Sequence, residues 1–336
     1  MSKIKLSVLD QSPVHDGQEE RQGLLDTIEL AKMCDTLGYH RYFLAEHHNS
    51  PGYASSCPEI MVNTVANHTK NMRIGSGGIM LNHYSAFKVA ETFNMLCALH
   101  PRRIDLGIGR ASGANYLTSR ALHRDNAQEY PQKAYELIGY LNQSLPLEHN
   151  FHDVSLTPAD VPAPPVYFLG SSEGSSQLAG VLGGGFILAL FIGNHFRSPN
   201  IIKEYKNAFN PTNVLKEPKA IVAIACIVAD TKEEAEYIAS THTYWKLQAF
   251  TKPSRDALID PAELKSIVAN LSPQDKAYYD ETMDTMVLGT AKECKEQIEA
   301  LATQFDVDEV MIVNVSYHFE DRKQTYSKLA KVFNLI

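Results

Sequence analysis

The segment Ser171-Ser172-Glu173-Gly174-Ser175-Ser176 sets hydroxyls and a glycine where an apolar run gives way to a helical pattern. Free N–H groups at a helix start, joined by hydroxyls, outline an anion site. Ser and Gly are also ordinary helix caps. Arg110 follows another apolar run, Ile104 to Gly109. A guanidinium there suits bidentate phosphate binding and would otherwise need a carboxylate partner. Together these residues point to a phosphorylated cofactor.

Three other stretches carry chemical potential. Glu46-His47-His48 ends an apolar run and gives one imidazole to each side of the chain, so one of the two can act as base or donor in a site. A lone histidine can equally be structural, and Asp10-Gln11-Ser12 adds too few ligands for a metal, so none is assigned. Ser76-Gly77-Gly78 lets a planar group approach the backbone, or simply makes a turn. Between Ile104 and Gly109 the two-residue period puts Asp105, Gly107 and Gly109 on one face. Those glycines leave room for a flat ring, or relieve crowding between backbones.

The elements that must hold these groups alternate. Strands are predicted at Ile4–Leu9, Tyr42–Ala45, Arg73–Gly75, Ile104–Gly109, Val166–Leu169, Phe186–Phe191, Ala220–Ala229 and Glu309–Val315. Helical spacing follows at Leu24/Ile28/Ala31/Leu37, at Ile60/Val62/Val65, and at Val89/Phe93/Leu96/Leu99. It recurs at Ala134/Leu137/Ile138/Leu141, Leu178–Leu182, Ala235–Trp245, Ile298–Phe305 and Tyr326–Val332. Eight such units predict a single α/β domain over residues 1–336, a (β/α)8 TIM barrel, with a doubly wound open sheet as competitor. The stretch 248–288, polar and carrying Pro253, Pro261 and Pro273, reads as an inserted segment before the last strand. It is either a wall over the active-site end or a solvated excursion. Every chemical stretch above falls at the C-terminal end of a predicted strand, where such barrels keep their sites.

Composition bounds the function. Lys and Arg number 31 against 39 Asp and Glu, a formal charge of -8, which argues against a nucleic-acid or anionic-membrane binder. Hydrophobic residues make up 44% of the 336, enough for a sizeable core. The cysteines Cys34, Cys57, Cys97, Cys226 and Cys294 show no CxxC or metal-ligand spacing and read as reduced thiols. With no signal-peptide pattern and no membrane-length apolar run, a soluble cytoplasmic protein is expected. A Rossmann GxGxxG and a GxxxxGK[ST] loop are missing from the sequence.

The runs LGYHRYFLAEHHN (37–49), SCPEIMVNTVA (56–66), RIGSGGIMLNHYSAFKVAETFNML (73–96) and RRIDLGIGRASG (102–113) resemble the bacterial luciferase-like monooxygenase family, in particular its short single-chain oxidoreductases. The similarity covers nearly the whole chain. The resemblance implies a barrel enzyme that uses reduced FMN from a separate flavin reductase, with O2 as co-substrate, to oxygenate a small organic substrate, aldehyde-like or apolar. It assigns the phosphate to Arg110, Ser171, Ser172 and Ser175, a non-prolyl cis peptide beneath the flavin to Ser76–Gly77, and the histidine near the flavin to His47, with His48 structural. It also implies a homodimer. Departures are Gly109 where luciferases proper carry cysteine, Ala86 for a usual proline, and Arg102 for a usual glycine. Alternatives are a deazaflavin-dependent oxidoreductase on the same barrel and a non-catalytic FMN-binding protein.

Overall fold

The computed structural model describes residues 4–122, 127–193, 196–252 and 256–335. Eight parallel strands close on themselves: β1 (Lys5–Asp10), β2 (Arg41–Leu44), β3 (Arg73–Ser76), β5 (Ile104–Gly109), β6 (Val166–Gly170), β7 (Gly185–Ala189), β8 (Ala220–Val228) and β10 (Glu309–Val313). β10 pairs with both β8 and β1, and that closure excludes the open sheet. Two short strands are additional: β4 (Ile79–Met80) on β5, and β9 (Val287–Gly289) on β8.

Alternation sorts the strand residues into two cores. The outward set, including Val8, Tyr42, Leu44, Ile74, Leu106 and Ile108, packs against the surrounding helices. Among these are α1 (Glu20–Thr36), α2 (Pro58–His68), α3 (Ala86–Leu99), α5 (Tyr130–Asn142) and α12 (Phe319–Val332). The first of these ends at Gly38, whose φ of +81° suits the residue that stops a helix. Ile60 and Leu99, core-facing by spacing, are 62% and 63% exposed. Each lies within a turn of its helix end, where the buried stripe of Met61, Val62 and Val65, or of Phe93, Leu96 and Cys97, has rotated past it.

The inward set changes character along the axis. At the N-terminal end it is ionic. Arg41 donates to both Glu309 oxygens (2.6 and 3.0 Å) and to Asp105 (2.7 Å), and Arg73 donates to the other Asp105 oxygen (2.6 Å). Burial works against the Arg41 charge, yet Glu309 and Asp105 raise its pKa well above the ordinary value. Above this layer Leu9, Phe43, Tyr167, Ile187, Ala223 and Met311 fill the centre.

The segment 248–288 has helical structure of its own. α8 (Lys232–Thr251) runs on past 248 and is followed by α9 (Pro261–Ala269), α10 (Pro273–Asp284) and β9; Pro253 lies outside the described residues. Leu258 exchanges backbone bonds with the loop after β1, donating to Val14 O (3.0 Å) and accepting from Asp16 N (2.8 Å). Ala225 and Ile227 pack with Ala235, Ile238 and Ala239 of α8 and with Leu288 of β9. Within the segment, Leu258 and Leu288 thus contact the C-terminal end of the strands.

Candidate functional site

The C-terminal ends of β5 and β6 form one corner. The two strands pair in register, Gly109 opposite Leu169, so Arg110 comes just past the ladder beside Gly170. Arg110 is exposed and has no carboxylate partner among the described residues. Burial pushes the neighbouring Tyr130 hydroxyl up in pKa, and the Arg110 charge partly opposes it. α6 (Glu173–Val181) begins at the same level. Ser172 caps it, its hydroxyl accepting from Ser175 N (3.4 Å) and lying 3.1 Å from Ser175 Oγ. The cap takes up one first-turn donor, leaving the others for a ligand or water. A Cβ on Gly174 would meet nothing within 4 Å, so approach to these donors is open. Ser171 and Ser175 are half-buried and Ser172 exposed.

The glycine face of β5 divides. A Cβ on Gly107 would stand 2.1 Å from Ser76 O, so that glycine answers to backbone crowding. A Cβ on Gly109 would meet only Met80 Sδ, at 3.4 Å, so Gly109 leaves room at the mouth. The Ser76 side chain is fully buried, donating to Gly107 O (2.7 Å) and accepting from Gly107 N (3.0 Å). Its hydroxyl is therefore spent inside the β3–β5 seam.

The cis peptide bond joins Gly77 to Gly78, one residue beyond the expected Ser76–Gly77. The cause lies in the register. Gly75 pairs with Asp105 and Ile79 with Ile108, four residues of chain against three. The extra residue makes a bulge. Ser76 stays in the ladder and Gly77 N donates to Leu44 O (2.6 Å), so the cis bond falls one step later and the chain continues parallel to β5. Side chains are excluded there: a Cβ on Gly77 would reach Leu9 Cδ1 at 2.3 Å, and one on Gly78 the Gly107 carbonyl at 2.8 Å.

On the opposite side of the mouth His47 follows β2. Its ring lies 4.1 Å, centroid to centroid, from Tyr53, which lies 4.4 Å from Trp245. The Tyr53 hydroxyl donates to Gln11 Oε1 (3.0 Å), and Leu258 joins the same apolar cluster. This aromatic wall was not legible in the sequence; the one available signal was that Trp245 is the chain's single tryptophan. His48 turns the other way, its Nε2 donating to the buried Glu46 carboxylate (2.7 Å). The structure thus brings Arg110 and Ser171, Ser172 and Ser175 to one corner, Gly77 and Gly109 to the floor between, and His47 to the far wall.

A closed parallel barrel with an exposed cation, helix N-terminus and aromatic wall at the strands' C-terminal end belongs to the (β/α)8 class of enzyme scaffolds. Within that class, the chain is a member of the luciferase-like monooxygenase family, whose profile matches residues 3–308. It is 37% identical to the YwcH protein of Bacillus subtilis over 98% of this chain and 99% of that one. With the N-acetyl-S-alkylcysteine monooxygenase of Bacillus subtilis it shares 31% identity over 97% of each chain. The crystal structure of apo-MsnO8 superposes with a TM-score of 0.88 at 31% identity, covering 99% of this chain and 98% of that one. The fold alone is shared with the FMN-bound oxygenating constituent of 3,6-diketocamphane monooxygenase (17% identity, TM-score 0.71). The same holds for an F420-dependent secondary alcohol dehydrogenase (14% identity, TM-score 0.63). Family and neighbours support an oxidoreductase.

Proposed function

We propose that this protein is a flavin-dependent monooxygenase, using reduced FMN from a separate flavin reductase and O2 to oxygenate a small organic substrate. The observation that carries the reading is Arg110: exposed, without a carboxylate partner among the described residues, and in register beside the segment that opens α6. A guanidinium and a helix N-terminus with hydroxyls are matched to a phosphate monoester. The room beside Gly109 suits the edge of a flat ring system. The donor set therefore fits FMN.

When bound, reduced FMN supplies the electrons that activate O2. In this reading the chain's own residues do the rest. Arg110, Ser171, Ser172 and Ser175 bind the phosphate, and Gly77 and Gly109 admit the ring. His47 accepts or donates a proton at its ring. Tyr53, Trp245 and Leu258 exclude water from the apolar side of the mouth, which favours a neutral, largely apolar substrate. The same reading has the protein working as a cytoplasmic homodimer.

The test is titration of the protein, wild type and Arg110→Ala, with FMN and with the deazaflavin F420. Loss of one charge-assisted phosphate contact should weaken FMN binding roughly 10- to 100-fold. Equal affinity would remove Arg110 from the phosphate site. Binding of F420 in place of FMN would favour a hydride-transferring oxidoreductase, as in the F420-dependent neighbour. Bound FMN with no substrate-linked oxygen uptake would mark a flavin carrier.

A further inference from the structure

Glu46 has no exposed side-chain surface, yet it sits beside the mouth and the roles above leave it unused. Its Oε1 accepts from His48 Nε2 (2.7 Å) and from Tyr84 Oη (2.8 Å), and its Oε2 accepts from Met80 N (2.9 Å). These donors come from three stretches of chain: the end of β2, strand β4 beyond the Gly77–Gly78 bond, and the residues leading into α3. A fourth is tied in through His48, whose backbone N–H donates to Gly113 O (2.9 Å) in the loop that carries Arg110. His83, edge-on to His48 at 5.9 Å between centroids, donates to Ser112 O (2.7 Å) in the same loop.

A buried carboxylate is costly to desolvate, and an apolar side chain could fill the same space without that penalty. What the carboxylate adds is geometry. His47 stands between two residues held from the same side, Glu46 by its oxygens and His48 by ring and backbone, so the His47 ring is directed to the opposite side, against Tyr53. Met80, held by its N–H, lays its side chain along the backbone of the β5 end. Cβ atoms on Gly109 and Gly113 would stand 3.4 Å from its Sδ and 3.3 Å from its Cε.

We infer that Glu46 is a positioning residue, fixing His47 and the Met80–Gly109 side of the ring cradle relative to each other. The inference rests on the flavin reading of the mouth. In Glu46→Gln the shape is retained, but an amide cannot accept on both sides. Its NH2 faces either Met80 N–H, which breaks that bond, or His48 and Tyr84, which must then reverse and accept, so charge-assisted bonds are lost or become neutral whichever way it turns.

The experiment is FMN affinity, read by quenching of flavin fluorescence, together with thermal unfolding. Glu309→Gln serves as a matched substitution of a buried carboxylate at the opposite end of the barrel, where Glu309 meets Arg41 and Ser7. Glu46→Gln should raise the FMN Kd about tenfold, the loss expected for one charge-assisted contact, while Glu309→Gln stays within about twofold of wild type. A purely structural Glu46 would lower the melting temperature without separating the two affinities. An FMN Kd for Glu46→Gln within about twofold of wild type, or an equal rise in Glu309→Gln, overturns the inference. Should Glu46→Gln not fold, His48→Phe, which removes one donor and keeps two, is read by the same rule. Wild-type protein that takes up no FMN would instead overturn the flavin reading on which this one stands.

Discussion

Gly107 and Gly109 lie two residues apart on one face of β5, and alanine at each should have opposite consequences. At Gly107 the new Cβ would meet Ser76 O at 2.1 Å and Leu169 Cδ1 at 2.9 Å. The closer atom is backbone, so β3 would have to move. Overpacking of a filled interior costs about 1–3 kcal/mol. Opening the paired Ser76–Gly107 hydrogen bonds adds about 1 kcal/mol for each of the two. The total is about 3–5 kcal/mol. At Gly109 the Cβ would touch only Met80 Sδ, at 3.4 Å, and the backbone φ is not in the left-handed region. The reduced freedom of the unfolded chain should then stabilise by about 0.4–1 kcal/mol. The two variants should differ by about 5 kcal/mol in equilibrium urea denaturation and by on the order of 10 °C in melting temperature. Gly109→Ala, though stable, should bind FMN more weakly, because the methyl group occupies the room assigned to the ring. Equal stabilities would refute the division of the glycine face, and unchanged FMN affinity in Gly109→Ala would refute the cradle.

Arg41→Ala leaves Glu309 and Asp105 buried without their shared cation and should cost about 3–5 kcal/mol. FMN affinity should hold, since the cluster lies at the far end of the barrel; a loss of stability below about 1 kcal/mol on thermal unfolding would refute the role given to the cluster. His40 should make stability fall as pH drops. Burial first, aided by the Arg41 and Lys5 charges and opposed by Glu309, lowers its pKa below the ordinary 6.5. The folded state then binds fewer protons than the unfolded state from that lowered pKa up to about 6.5, so stability declines as pH falls through this window. His40→Gln should flatten the decline between about pH 5 and 7, and parallel denaturation midpoints for the two proteins would refute it.

The strands were legible because parallel strands buried on both faces write continuous apolar runs, and Ile104–Gly109 has the bounds the pattern gives. Closure was legible only through the count of eight units, because β1 meets β10 through pairs such as Lys5 with Glu309, far apart in sequence, and no local pattern encodes them. The bulge at Ser76–Gly78 failed for a related reason. Composition marks a place where a side chain cannot fit, but which bond is cis depends on the register with the partner strand, four residues against three. The aromatic wall was hidden because Tyr53, Trp245 and Leu258 sit in three separate stretches, and each reads singly as ordinary core.

The arginines show where residue type stops carrying information. Arg41 opens β2 and Arg110 follows β5, and each is a cation at a strand end beside small or apolar neighbours. Arg41 is 6% exposed and neutralised by Asp105 and Glu309, so it holds the base of the barrel together and has no valence left for a ligand. Arg110 is exposed with no carboxylate beside it among the described residues, so its charge remains available to an anion. The difference is made by which end of the strand each occupies. Around Arg41 the interior contributes its own carboxylates, whereas around Arg110 Gly109 contributes space and Ser171 a hydroxyl but no charge. A fold that met both cations with carboxylates would leave neither for the phosphate proposed above. The exposed Arg110 is therefore the feature whose removal should cost binding while leaving stability nearly untouched.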